Sequence, residues 1–166
     1  MKGYNLSKIT LQLCAESEVE MVCLGKRIAK ALNYPIVITL AGDLGAGKTT
    51  LARGILNQLG HSGHVKSPTF SIVEIYEINS CRVAHFDMYR VKDPEELQFF
   101  GFHEYFDVSD LILIEWPEQI STVEIGIDLE IKFLTVGNTR NLIFNSMSES
   151  GDITPVSYTH LRAHET

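Results

Sequence analysis

The residues Gly42-Asp43-Leu44-Gly45-Ala46-Gly47-Lys48-Thr49-Thr50 decide the fold. They fit G-x-x-x-x-G-K-S/T, the phosphate-binding P-loop. Ile36-Val37-Ile38-Thr39-Leu40 precede them, an apolar run introduced by Pro35 and rich in β-branched residues. Leu51, Ala52, Ile55, Leu56 and Leu59 follow at helical spacing, and Gly60 stops the run. The motif thus lies where its mechanism needs it, between a buried strand and the first turn of a helix. Its glycines let the backbone curl so that N–H groups face phosphate oxygens, and the helix N-terminus adds its dipole. Lys48 is placed to reach the β- and γ-phosphates, and the Thr49 hydroxyl to bind Mg²⁺. A Gly-rich turn that matches by chance is the plain alternative. The strand and the helix on either side argue against it.

The 166 residues suit one domain with a substantial core. Hydrophobic content of 45% and charged content of 21% are those of an ordinary soluble globular protein. No apolar run approaches a membrane span, and no apolar stretch follows the N-terminus as a secretory signal would. Cys14, Cys23 and Cys81 are scattered and in no metal spacing, which reads as reduced thiols in the cytoplasm. A formal net charge of −7 makes a poor stand-alone binder of nucleic acid, since affinity there comes largely from neutralising phosphates. Direct DNA binding is not expected, and any role in a nucleic-acid pathway would run through partners.

Residues 9–13 alternate and read as a first strand. Ser17-Glu18-Val19-Glu20 fits a capping box, opening a helix to Leu32 with Val19, Val22, Cys23, Ile28, Ala29 and Leu32 facing inward. After the P-loop helix, His61-Ser62-Gly63-His64 reads as a solvated loop; no carboxylate or cysteine joins the two histidines as a metal set would require. Phe70 to Ile78 and Cys81 to Tyr89 read as an antiparallel hairpin across Asn79-Ser80. Asp93-Pro94-Glu95-Glu96 starts a short helix, and the aromatic-rich stretch to Phe106 reads as a cover on the sheet, or else a lid. Leu111-Ile112-Leu113-Ile114 is the run expected of a central strand buried on both faces. Two weaker strands follow, near Ile127–Phe133 and Asn141–Phe144. The expected domain is 1–146. Residues 147–166 read as a tail, and the last of them as a cloning scar unrelated to the domain.

A P-loop binds a nucleotide without saying what is done with it. Phosphoryl transfer needs a carboxylate near Mg²⁺ and something to orient the nucleophile. Asp87 ends one strand, and Glu115 ends the most hydrophobic one, in the Walker-B-like position. Ligands of open α/β sheets bind beyond the carboxyl ends of strands, so both acids are candidates for metal binding and catalysis beside Lys48 and Thr49. A helix cap or a surface ion pair is the plain reading of each. Thr69, in Ser67-Pro68-Thr69, can approach the γ-phosphate or Mg²⁺ as a switch residue does; an ordinary Ser-Pro turn explains it equally well. Arg90 and Arg140 are possible phosphate or nucleotide contacts, with an ordinary surface arginine the default.

Four blocks occur in order: Gly42 to Thr50, Ser67-Pro-Thr-Phe70, His85-Phe-Asp-Met-Tyr-Arg90 and Ile114-Glu-Trp-Pro117. Together they resemble the TsaE (YjeE) family, bacterial P-loop ATPases of tRNA threonylcarbamoyladenosine biosynthesis. The resemblance runs from Ile9 to Phe144, with Met88 where the family more often has leucine. It implies an α/β P-loop NTPase fold, with a mixed, partly antiparallel β-sheet flanked by helices. It implies ATP and Mg²⁺ as cofactors, with metal and catalytic roles at Thr49, Asp87 and Glu115. Trp116 would lie beside the nucleotide, and Arg140 matches an arginine near the end of the family pattern. The implied partners are TsaD and TsaB, with tRNA reached indirectly through them. The implied role is an ATPase cycle supporting modification of adenosine 37, with low activity alone and stimulation by the partners. A small-molecule kinase and a nucleotide-gated binding module without essential hydrolysis remain the alternatives. The chain's few arginines weigh against the kinase.

Overall fold

Leu111–Glu115 is buried along its whole length, because strands pack on both of its edges and side chains cover both of its faces. The computed structural model describes residues 10–152. The reading of Ile9 as a strand residue and of 153 onward as tail lie outside them. The strands are β1 (Thr10–Ala15), β2 (Ile36–Ala41), β3 (Val73–Ile78), β4 (Cys81–Asp87), β5 (Leu111–Glu115), β6 (Leu129–Val136) and β7 (Thr139–Ser146). They form one sheet in the order β1-β7-β6-β2-β5-β4-β3. The middle four strands, β6, β2, β5 and β4, run parallel. Antiparallel arms flank them, β7 and β1 on one side and β3 on the other. This is the mixed, partly antiparallel sheet that the family resemblance implies.

The helices are α1 (Glu18–Ala31), α2 (Lys48–Leu59), α3 (Glu96–Phe99) and α4 (Glu104–Val108), with a short 3-10 turn at Pro117–Ile120. Helices α1 and α2 cover one face of the sheet, over Ile38, Leu40, Val83, Leu113 and Ile131. The 91–106 segment covers the other. There Phe86 meets Phe102 and Tyr105 edge to face at 5.1 and 5.3 Å, and Phe102 meets Phe106 at 5.1 Å. Such contacts add to the area they bury, and this segment covers Ala84, Ile112 and Ile114.

Ser17 caps α1, accepting the Glu20 N–H at 3.1 Å, while the Glu20 carboxylate accepts from Glu16 N–H rather than from Ser17. The buried face of α1 is Met21, Leu24, Gly25, Ile28 and Ala29, so Val19, Val22 and Cys23 do not lead inward; Val19 is 72% exposed. The reason is Gly25. A Cβ there would lie 2.4 Å from Leu51 O, and one at Gly54 would lie 2.3 Å from Val22 O. The two glycines let the backbones of α1 and α2 meet, and that contact sets the rotation of α1. The strand expected from Phe70 starts only at Val73, since Ile72 stands at φ 66 and turns the chain. Asn79 and Ser80, at φ 46 and 66, make the two-residue turn of the β3–β4 hairpin. Residues past 146 continue on the domain as far as they are described. Met147 N–H bonds Asp128 O at 2.8 Å, and buried Gly151 lies against the same carbonyl.

The helix contact makes a sharp prediction. Alanine favours a helix over glycine by about 1 kcal/mol, yet at Gly54 its methyl would meet a backbone carbonyl that cannot give way. Gly54→Ala should therefore lower unfolding stability by about 2 kcal/mol. Gly126→Ala, where nothing lies within 4 Å, should leave it within about 0.5 kcal/mol. Urea unfolding of both variants decides it; an unchanged midpoint for Gly54→Ala would show that the helices can separate.

Candidate functional site

The P-loop leaves the end of β2 and enters α2 through two residues in the left-handed region, Gly45 at φ 76 and Gly47 at φ 101. A side chain would be strained at either position. A turn closed by Ala46 N–H on Asp43 O at 3.1 Å curls the loop over the first turn of α2. Lys48, only 6% exposed, lies inside it. Its ammonium donates to the carbonyls of Gly42 and Asp43, the latter at 3.0 Å. It also stands 3.8 Å from the centre of the Trp116 ring. Burial lowers the Lys48 pKa from its ordinary value, and the nearby carboxylates, Glu115 first, offset part of that.

The two acids meet because of strand register. Asp87 and Glu115 are paired residues at the ends of parallel neighbours β4 and β5, and both side chains are buried. Glu115 Oε1 accepts the Thr49 hydroxyl at 2.8 Å. The Ser67 hydroxyl contacts both acids, Asp87 Oδ2 and, at 2.8 Å, Glu115 Oε2. Thr69 bonds Asp87 Oδ2 at 3.1 Å, and the Tyr89 backbone N–H bonds Asp87 Oδ1 at 2.9 Å. His85 Nε2 stands 3.4 Å from Glu115 Oε2. Burial pushes the Glu115 carboxyl up, but the His85 imidazole and the Thr49 and Ser67 hydroxyls together hold it below its ordinary value.

A cavity of about 300 Å³ joins Leu44 through Thr50 with Ser67, Thr69, Asp87, Tyr89, Glu115 and Trp116. It gathers most of the residues singled out in the sequence. Gly42 and Asp43 do not line it; they hold Lys48 from behind. Arg140 lies across the P-loop from Trp116, in a second cavity of about 400 Å³ with Asn138, Gly45, Gly47 and Thr50. Arg90 is engaged elsewhere, its guanidinium 4.1 Å from the centre of the exposed Phe70 ring. His61 stands edge-on to Tyr76 at 4.8 Å. Ser67, Tyr89 and His85 were not among the candidate ligands. His85 carried a readable signal: it stands two residues before Asp87 on a strand, hence on the same face.

Trp116 takes φ 57 and Ile72 φ 66, conformations that bulky and β-branched residues rarely adopt. Trp116 lines the cavity directly after Glu115, and Ile72, at the base of the Ser67–Phe70 loop, accepts the Asp87 backbone N–H at 2.9 Å. Trp116 is held by its face toward Lys48 and by the Tyr89 ring at 4.9 Å. Strain of this kind persists where surrounding contacts fix it, and it clusters at functional sites.

The donor set is one of hard oxygens, a hydroxyl and two carboxylates, beneath a loop of N–H groups at a helix start. That suits an oxygen-loving divalent cation bound together with a phosphate chain. Among the described residues no group of three or more His, Cys, Asp or Glu side chains is placed to hold a metal by itself. A cation here would therefore draw part of its shell from phosphate and water, as Mg²⁺ does in nucleotide sites. No helix of the described residues is long and apolar enough to cross a membrane.

Residues 15–142 match the family described as threonylcarbamoyl adenosine biosynthesis protein TsaE. The tRNA threonylcarbamoyladenosine biosynthesis protein TsaE of Haemophilus influenzae is 42% identical over 130 residues, covering 75% of this chain and 82% of that protein. The protein of the same name from Bacillus subtilis is 36% identical, covering 70% and 80%. The crystal structure of Bacillus subtilis YdiB superposes with a TM-score of 0.75 at 27% identity, over 96% of this chain and 98% of that one.

The carboxylate cluster predicts a pH response. The folded pKa of Glu115 lies below its ordinary value of 4.5. Its stabilising contribution is therefore present above that value and is lost as pH falls through the folded pKa. Glu115→Gln lacks this component. Urea unfolding at about pH 6 and about pH 3.5 should show a smaller loss for the variant than for the wild type. An equal loss in both would mean that the carboxylate is not held ionised.

Proposed function

The chain belongs to the TsaE family, and we propose that it is the Mg²⁺-dependent ATPase of tRNA threonylcarbamoyladenosine biosynthesis. The pathway is that of its named relatives. One observation supports the hydrolase reading above the rest: the P-loop hydroxyl of Thr49 and the carboxylates of Asp87 and Glu115 converge in one buried cluster. A module that only bound nucleotide would have little use for two desolvated carboxylates there.

In this reading the N–H groups of Gly45 to Thr49 bind the phosphate chain. Lys48 exchanges the carbonyls of Gly42 and Asp43 for phosphate oxygens. Thr49, Asp87 and Glu115 would hold Mg²⁺ and its waters, and the two carboxylates would orient the water that attacks the γ-phosphate. The metal, when bound, neutralises charge that develops on the phosphate oxygens. Thr69 and Ser67 carry the state of the site to their loop, and Arg140 with Asn138 faces the nucleotide from the other side of the P-loop. None of the cavity-lining residues is an arginine, so turnover is slow alone. It rises with TsaD and TsaB, which carry the tRNA; the acidic chain reaches tRNA only through them. The cytoplasm is the compartment that this pathway requires.

Asp87→Asn and Glu115→Gln should each lower ATP turnover about 100-fold or more while nucleotide still binds. Trp116 is the only tryptophan and lies against Lys48, so its fluorescence should change when Mg·ATP or Mg·ADP is added. Turnover is measured with TsaD and TsaB present, and binding by the fluorescence. Wild-type turnover in both variants would defeat the reading.

A further inference from the structure

Among the described residues whose groups touch the carboxylates of Asp87 and Glu115, His85 is the one that does not line the cavity. It is 0% exposed, on the face of β4 that also carries Val83 and Asp87, with Leu113 paired beside it on β5. Neither ring nitrogen has a well-aligned hydrogen-bond partner. The polar atom Nε2 meets is Glu115 Oε2, at 3.4 Å. Burying an imidazole without well-aligned partners is unfavourable, so packing alone is a poor reason for a histidine here; leucine would fill the same space without that cost.

The other contacts of Glu115 differ in kind. Thr49 and Ser67 both line the cavity, so a bound metal and nucleotide would take their hydroxyls away from the carboxylate. His85 lines no cavity described for the chain, and β4 and β5 hold its backbone fixed. It is the contact that persists when the hydroxyls are withdrawn. Resting on the ATPase reading above, we propose that His85 is a positioning residue for hydrolysis: it donates Nε2–H to Glu115 Oε2 and fixes that carboxylate in its working orientation. Its long contact shortens once Ser67 no longer shares the same oxygen. The residue touches neither nucleotide nor water, and its effect falls on turnover rather than on binding.

The test compares three substitutions. His85→Leu keeps the volume and removes the donor. His85→Gln places an amide N–H where Nε2 stands, whereas His85→Asn reaches only as far as Nδ1. With TsaD and TsaB present, His85→Leu and His85→Asn should lower kcat about 10- to 100-fold. Their KM for ATP and the Trp116 fluorescence titration with Mg·ADP should move less than about twofold, and His85→Gln should recover most of the turnover. In a Glu115→Gln background, His85→Leu should cost nothing further, as expected of two groups that act as a unit. Full turnover in His85→Leu, or a Gln variant no better than the Asn variant, overturns the proposal. If His85→Leu does not fold, the Gln and Asn variants decide it between them. Wild-type protein without ATP turnover would instead bring down the ATPase reading, on which this one rests.

Discussion

Two carboxylates side by side inside the protein are the constraint around which the rest is built. Asp87 and Glu115 end adjacent parallel strands in register, so their separation is set by the spacing of a sheet. Both are desolvated, and a buried carboxylate needs hydrogen-bond donors in place of water. The fold answers with donors. The Tyr89 N–H and the Thr69 hydroxyl reach Asp87, the Thr49 hydroxyl and His85 reach Glu115, and the Ser67 hydroxyl lies between the two acids. Lys48 adds a buried positive charge nearby.

Most of the architecture can be understood as what holds those donors in place. Thr49 and Lys48 ride on the first turn of α2, so their position is that of the helix. The helix is located by its backbone contact with α1 at Gly25 and Gly54 and by the strand β2 that feeds it. β2 in turn pairs with β5 through Leu40 and Glu115, which ties the start of the P-loop to the acid it must meet. The far face needs no such precision. It is covered by short helices and by edge-to-face aromatics that bury β4 and β5 and so keep the register that aligns the acids.

How much of this could be read from the sequence depends on whether a side chain carried the signal. The strand–loop–helix around Lys48, the buried run 111–114 and the acids ending two strands were legible because hydrophobic period and motif spacing report backbone directly. On α1 the inward reading of Ile28, Ala29 and Leu32 holds and that of Val19, Val22 and Cys23 does not, because glycine carries no hydrophobic signal although Gly25 sets the helix rotation. The late start of β3 was hidden in the φ of Ile72, a residue whose type argues for a strand. Trp116 and Arg140 both proved to face the P-loop, but from opposite sides, and no spacing in one dimension distinguishes the sides of a loop. His85 was the missed opportunity: with Asp87 already singled out, period two on a strand places it beneath the same cluster.

The donors around the acids divide by what carries them, and the division bears on how such a site can report its own state. His85 and the Tyr89 N–H belong to β4 and the turn directly after it, and cannot leave without unravelling the sheet. Thr49 belongs to the helix and moves only with the P-loop. Ser67 and Thr69 belong to a loop between α2 and β3, closed at its base by Ile72 N–H on Pro68 O at 2.8 Å. Ser67 has a single hydroxyl proton for two carboxylates, so it fully satisfies one and leaves the other short of a donor. That makes the loop the weakest holder of the cluster. A divalent cation is a better partner for two carboxylates than a shared hydroxyl. On electrostatic grounds alone, a cation at the acids would compete first with Ser67 and Thr69 and last with His85 and the Tyr89 N–H. Those two hydroxyls share their loop with the exposed Phe70 ring, which Arg90 caps, so the contacts of the buried cluster and of this surface ring lie on one short segment.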